Sequence, residues 1–127
     1  MTLAEIKAAV IRRAHRSDLT AQVPLYLQFA EQDYNLRTNG SHRLTEEADG
    51  AESWLSIYAP LVYIYGGLMQ MAIDTQDDTA LQRYAILYER AADAAHYAEV
   101  RDSGIMDEAM STDVNMTVRS NILTGDE

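Results

Sequence analysis

Two groups of side chains in this 127-residue chain have the types that chemistry needs. The first is the run His15-Arg16-Ser17-Asp18, which offers a base, a cation, a nucleophile and an acid side by side. In a catalytic triad these partners converge from separate parts of a fold, which immediate neighbours in sequence rarely do. The expectation is therefore a structural corner, in which Ser17 or Asp18 caps the next turn and Arg16 pairs with a carboxylate. The second group is Asp93-Ala94-Ala95-His96 with Glu99 following, which places two carboxylates and an imidazole on one helical face. Carboxylate-bridged di-iron bundles need a Glu-x-x-His pair on each of two helices. Here a single pair occurs, with Asp in place of Glu, so the expectation is a solvated helix face. No catalytic residue, metal or cofactor is expected.

Tyrosine is the dominant aromatic: eight residues, against one Phe and one Trp. Tyr58, Tyr63, Tyr65, Tyr84, Tyr88 and Tyr97 could stack nucleobases only if basic residues interleaved with them. Only Arg83 and Arg90 lie nearby, among many carboxylates. Core and subunit-interface roles are expected instead, with Tyr63, Tyr65, Leu68, Tyr84 and Tyr88 as the candidate contacts between copies. Met69 and Met71 belong to a core, whereas Met106, Met110 and Met116 are adaptable anchors for a partner surface. The absence of cysteine removes disulfides, thiolate nucleophiles and Cys-based zinc sites. Gly66-Gly67 sits within an apolar helical run, the wrong context for a phosphate-cradling loop.

The elements that carry these residues are all helical in pattern. Thr2 with Glu5 forms a capping box, and Leu3, Ile6, Val10 and Ala14 then recur at helical spacing through residue 14. Lys7, Arg12, Arg13 and Arg16 occupy the other side and the end, where cations suit the helix dipole. A second helix over residues 23–36 opens with Pro24 at its first position and turns Val23, Leu27, Ala30 and Tyr34 inward. Residues 38–53 are polar, with Asn39-Gly40 and Asp49-Gly50 turn pairs. A mobile loop is expected there in preference to a short hairpin. Residues 54–60 lead into a third helix, 60–73, which is apolar almost all round and therefore buried on most faces. Asp77 or Asp78 caps a long fourth helix reaching residue 102, with Leu81, Tyr84, Tyr88, Ala91, Ala95 and Ala98 on one face. Beyond residue 105 the periodicity fades, and an extended arm ordered by a partner is expected. Its apolar contacts would be Ile105, Met106, Met110, Val114, Met116, Val118, Ile122 and Leu123. The fold class is all-α: a small bundle of about four helices, a polar loop between helices two and three, and an extended C-terminal arm. The domain division is 1–104 and 105–127.

The charge is unevenly laid out. Residues 1–43 carry six Lys/Arg against four Asp/Glu, a balance of +2, and residues 44–127 carry four against sixteen, a balance of −12. An acidic body argues against gripping nucleic acid, which needs clustered Lys/Arg, and is compatible with repelling it. The N-terminus lacks the basic region of a secretory signal. The longest apolar run, 58–69, falls short of the roughly 20 residues that cross a bilayer. A soluble protein is expected, with no membrane partner. Much of the apolar content is Ala, so the core would be thin without help from neighbouring subunits.

The N-terminal stretch MTLAEIKAAVIRRAHRSDLTAQVPLYLQFAEQDYNLR resembles the start of head-to-tail adaptor proteins of tailed bacteriophages, also called tail accessory or head-completion proteins. A second likeness lies in Tyr58-Ala-Pro60-Leu-Val-Tyr63, then Asp77-Asp78 and Leu81-x-x-Tyr84-x-x-x-Tyr88-Glu89-Arg90-Ala91. Longer relatives carry a β-rich insertion where this chain has only 38–53. The resemblance implies a non-enzymatic virion protein of the head–tail junction, made in the bacterial host cytoplasm. It would form a ring, dodecameric in that family, beneath the portal protein. The C-terminal arm would reach along the portal, and the other face would accept a tail or nozzle protein. DNA would pass through the channel without specific binding. From the residues alone two other classes stay open: an acidic helical regulatory or antitoxin-like module that orders its tail on a protein partner, and a small metal-dependent helical-bundle enzyme.

Overall fold

The capping box at Thr2 forms in both directions. The Thr2 amide donates to Glu5 Oε1 at 2.8 Å and the Glu5 amide donates to Thr2 Oγ1 at 3.2 Å. From it runs α1 (Leu3–Ala14), in a computed structural model that describes residues 1–103. A 3-10 turn (Ser17–Gln22) leads to α2 (Val23–Thr38), and a second, short one (Leu44–Glu46) lies in the loop that follows. Then come α3 (Trp54–Tyr58), α4 (Pro60–Thr75) and α5 (Asp78–Ser103). Among the described residues there is no strand, and the chain is an all-α small bundle. The arm expected over 105–127, with Ile105 through Leu123, lies outside the described residues.

Tertiary contacts divide the chain into a unit over Met1–Ala95 and a second unit from His96 onward. In the second unit the described residues 96–103 are helical, with Tyr97 exposed and Arg101 paired with Asp102 at 3.5 Å. The first unit is organised around α2, which packs most extensively on α4, while α1 packs on both. Leu3, Ile6 and Val10 of α1 are buried, as are Val23, Leu27, Ala30 and Tyr34 of α2, which follows the apolar spacing of each helix. Pro24 occupies the second position of α2, because Val23 already opens the helix.

Where α2 and α4 cross, the glycines make the contact possible. A Cβ on Gly66 would sit 2.6 Å from the Ala30 Cβ, and one on Gly67 would sit 3.0 Å from Leu27 Cδ2. A side chain at Gly66 would push the helices apart, whereas one at Gly67 would require the Leu27 side chain to give way slightly.

Three helices end on a residue in the left-handed region that is not glycine: His15 (φ 55°), Asn39 (φ 55°) and Gln76 (φ 57°). For α2 it is Asn39, and not Gly40, that makes the closing turn.

Two segments differ from the sequence expectation. Residues 54–58 form a separate short helix, because Ser53 and Ser56 exchange hydrogen bonds as a capping pair at 2.8 and 3.2 Å. Residues 38–53 are neither a hairpin nor a free loop. The α1 amides of Leu3 and Ala4 donate to Ala51 and Asp49 carbonyls at 3.1 and 2.9 Å, satisfying groups that a helix start leaves open. Lys7 Nζ meets Asp49 at 2.8 Å. The middle of the loop is held by α2.

Candidate functional site

The corner after α1 is structural. His15 turns the chain, its amide donating to the Ile11 carbonyl at 3.0 Å. Arg16 donates to both carboxylate oxygens of Asp18 at 3.0 Å each, which raises the basicity of the guanidinium and lowers the Asp18 carboxyl below its ordinary value. Neither Ser17 nor Asp18 caps the next turn, which has no side-chain cap; Thr20 Oγ1 instead donates to the Ser17 carbonyl at 2.6 Å. With Asp18 committed to Arg16, the run does not assemble a nucleophile–base–acid relay.

The most developed polar cluster was not visible as a motif. Glu31 lies in the middle of α2, only 3% exposed. One oxygen accepts from the Leu44 amide at 2.8 Å and from the Tyr63 hydroxyl; the other accepts from Thr45 Oγ1 at 2.6 Å. One turn on, Asn35 clasps the same loop through the His42 backbone: Nδ2 donates to the carbonyl at 2.9 Å and Oδ1 accepts from the amide at 3.0 Å. A buried carboxylate with three donors is a stable arrangement, because each charge-assisted hydrogen bond offsets lost hydration. Leu44 is thereby drawn into the core.

Two further tyrosines are held by carboxylates in the same way. Tyr88 of α5 donates to Asp33 of α2 at 2.7 Å, and Tyr26 of α2 donates to Asp74 of α4. Burial, reinforced by the adjacent carboxylate, raises the Tyr63 and Tyr88 phenols far above their ordinary value and pushes Tyr26 up to about 12. Beside Tyr88, Arg37 donates to both oxygens of Glu89 at 2.7 and 2.9 Å and meets Asp33 at 3.3 Å. Its guanidinium lies 5.2 Å over the Tyr88 ring.

Of the residues expected at contacts between copies, Tyr63, Leu68 and Tyr88 are enclosed by the chain's own helices. The reason is that α2 supplies carboxylates for the tyrosine hydroxyls, so these rings complete the core that the sequence made look thin. Tyr65 and Tyr84 are half-buried and stacked on one another, 6.4 Å between centroids. The exposed apolar side chains are others. Leu25, Phe29 and Leu36 stand 47%, 43% and 84% exposed along the outward side of α2, and Leu61 and Ile73 are exposed on α4. Leu25, Phe29 and Ile73 line one groove with Tyr26 and Asp74.

Among the described residues no three His, Cys, Asp or Glu side chains, Asp93, His96 and Glu99 included, converge so as to hold a metal ion. No helix among them is long and apolar enough to cross a membrane. No protein-family model matches the chain, and neither a curated protein nor a solved structure matches it.

Proposed function

We propose that the chain is a non-enzymatic structural protein of a tailed-bacteriophage head–tail junction, an adaptor that joins the portal to the tail. The observation that carries this reading is how the bundle spends its polar groups. In the first unit the buried carboxylate and the buried phenols are committed to holding helices and loop together. What is left outside includes exposed apolar side chains and an excess of carboxylates, the material of contacts with other chains and of a wall that repels DNA. The resemblance of residues 1–37 and 54–103 to adaptor proteins supplies the particular assembly: a ring, dodecameric in that family, on the portal protein, with a tail or nozzle protein below.

In this reading the neighbours in the ring meet through the Leu25, Phe29 and Ile73 side of the bundle, in place of Tyr63, Leu68 and Tyr88. The segment 105–127, with Ile105, Met106, Met110, Val114, Met116, Val118, Ile122 and Leu123, is the portal-binding arm.

The test is assembly with a bacteriophage portal protein. Sedimentation should find the chain monomeric alone, and electron microscopy should find a closed ring of it on the portal. Deleting 105–127 should abolish docking while circular dichroism stays helical; a truncated chain that docks normally sinks the arm assignment. Phe29→Asp should block ring closure and leave the fold intact. A one-to-one complex with a toxin or polymerase, and none with the portal, would replace this reading with the regulatory one.

A further inference from the structure

The chain has ten Lys/Arg against twenty Asp/Glu, yet three of its arginines line a single cleft. Arg13, His15 and Arg16 from the end of α1 and the corner after it face Asp77, Arg83 and Tyr84 from the start of α5, around a space of about 220 Å³. Arg16 is occupied by Asp18, and Asp77 by the Ala80 amide, which donates to it at 3.1 Å. Arg13 and Arg83 are different. Neither forms an ion pair among the described residues, and each rests on an aromatic face: Arg13 lies 5.7 Å from the Tyr65 centroid and Arg83 lies 5.1 Å from that of Tyr84. Because Tyr65 and Tyr84 stack on each other, the two guanidiniums are carried on one aromatic platform.

Helix dipoles do not account for this pair. A cation in the last turn of α1 suits the carbonyl end of that helix, which explains Arg13. Arg83 is in the second turn of α5, near the amide end, where the dipole gives a cation no support. Nor does the general composition explain it, since the surface is acidic and carboxylates that could neutralise both groups are abundant.

We propose that this cleft binds a tetrahedral dianion of the phosphate class, free or as a small monoester, between Arg13 and Arg83. Two guanidiniums without carboxylate partners match the two charges of such a group, and the planar fork of each presents paired N–H donors to its oxygens. The cleft volume leaves room for the alcohol portion of a small ester. Asp77 in the wall, together with the acidic surroundings, disfavours a polyanionic chain. The ligand is therefore a compact anion and not a nucleic-acid backbone. The inference is independent of the adaptor reading.

The experiment is titration of the full chain with inorganic phosphate and with glycerol phosphate, at an ionic strength held constant with chloride. It is followed by melting temperature and by phosphorus-31 line width. Saturable stabilisation and broadening are expected with phosphate, competed by sulfate and not by acetate. Glycerol phosphate binding at least as well assigns the ester as ligand; only free phosphate binding assigns the bare anion. Arg13→Gln and Arg83→Gln should each weaken binding about tenfold, and the double variant should abolish it. Arg13→Lys and Arg83→Lys keep the charge but lose the fork, and should weaken binding several-fold while leaving the fold unchanged. Arg90→Gln, which does not line the cleft, should bind as the unaltered chain does. A melting temperature that responds to phosphate no more than to chloride overturns the proposal, as does a folded double variant that still binds.

Discussion

Two polar clusters in the first unit are built on opposite principles. Around Glu31 one buried charge meets three donors, and loop, α2 and α4 close over it. Around Arg13 and Arg83 two exposed charges face a cleft, supported by aromatic rings and not by carboxylates. A buried ionic group must be satisfied within the fold, so the Glu31 cluster is part of what the fold is. An exposed one is satisfied by water at little cost, so the arginine cluster can exchange that water for a ligand. The lesson is that polar side chains in the interior record folding, whereas charge left without a counter-charge at the surface records availability.

The sharpest way to break this contrast is at Glu31. Glu31→Ala leaves the Leu44 amide, Thr45 and Tyr63 without their acceptor, and should cost about 3–5 kcal/mol in urea unfolding. Arg13→Gln should change stability by no more than about 0.5 kcal/mol. Near-equal effects would show that burial does not separate the clusters. Next in size is Gly66→Ala, where a Cβ would collide with Ala30. The roughly 1 kcal/mol gained from helix propensity should be outweighed, for a net loss of about 1–3 kcal/mol.

The carboxylate-held tyrosines sharpen the contrast through pH. A phenol whose folded pKa is raised contributes stability that is complete below its unfolded value near 10 and is lost as pH rises toward the folded value. For Tyr26 that window is from about 10 to about 12, and for Tyr63 and Tyr88 it extends higher. Absorbance titration near 295 nm should find these three silent until the chain unfolds. Ionisation of Tyr26, Tyr63 and Tyr88 at their ordinary value without unfolding would contradict the packing.

Smaller effects follow at the surface. A double-mutant cycle on Arg37 and Glu89 should give a coupling of at most about 1 kcal/mol, falling with salt, because the pair is substantially solvated. Gln76→Gly should stabilise by about 0.5–1 kcal/mol by relieving the left-handed residue that ends α4. Thermal melts report both.

Much of the bundle was legible because it rests on local rules. The stripe Leu3, Ile6, Val10 and the stripe Val23, Leu27, Ala30, Tyr34 follow helical spacing, and the cap at Thr2 is a short-range signal. Asp77 caps α5 as its position suggests. The tyrosine roles were not legible, because they depend on acceptors 32 residues away for Tyr63 and 55 for Tyr88. Glu31 and Asp33 look like ordinary surface carboxylates when α2 is read alone. The fixed course of the polar loop is illegible for the same reason, since its anchors are on α2 and α1 and not within it. The arginine cleft draws residues from both ends of the first unit, and α5 alone gives no sign that Arg83 belongs with Arg13.

The missing side chain at Gly66 has a mechanical consequence. Where two helices touch almost backbone to backbone, the crossing acts as a pin: α4 can neither slide along α2 nor roll without driving a bulkier neighbour into Ala30. That pin lies along the helices between the Tyr26–Asp74 link and the Glu31–Tyr63 link. A register error of a single residue would break both links at once. The crossing therefore proofreads the pairing of the two helices, so that each phenol finds the carboxylate meant for it.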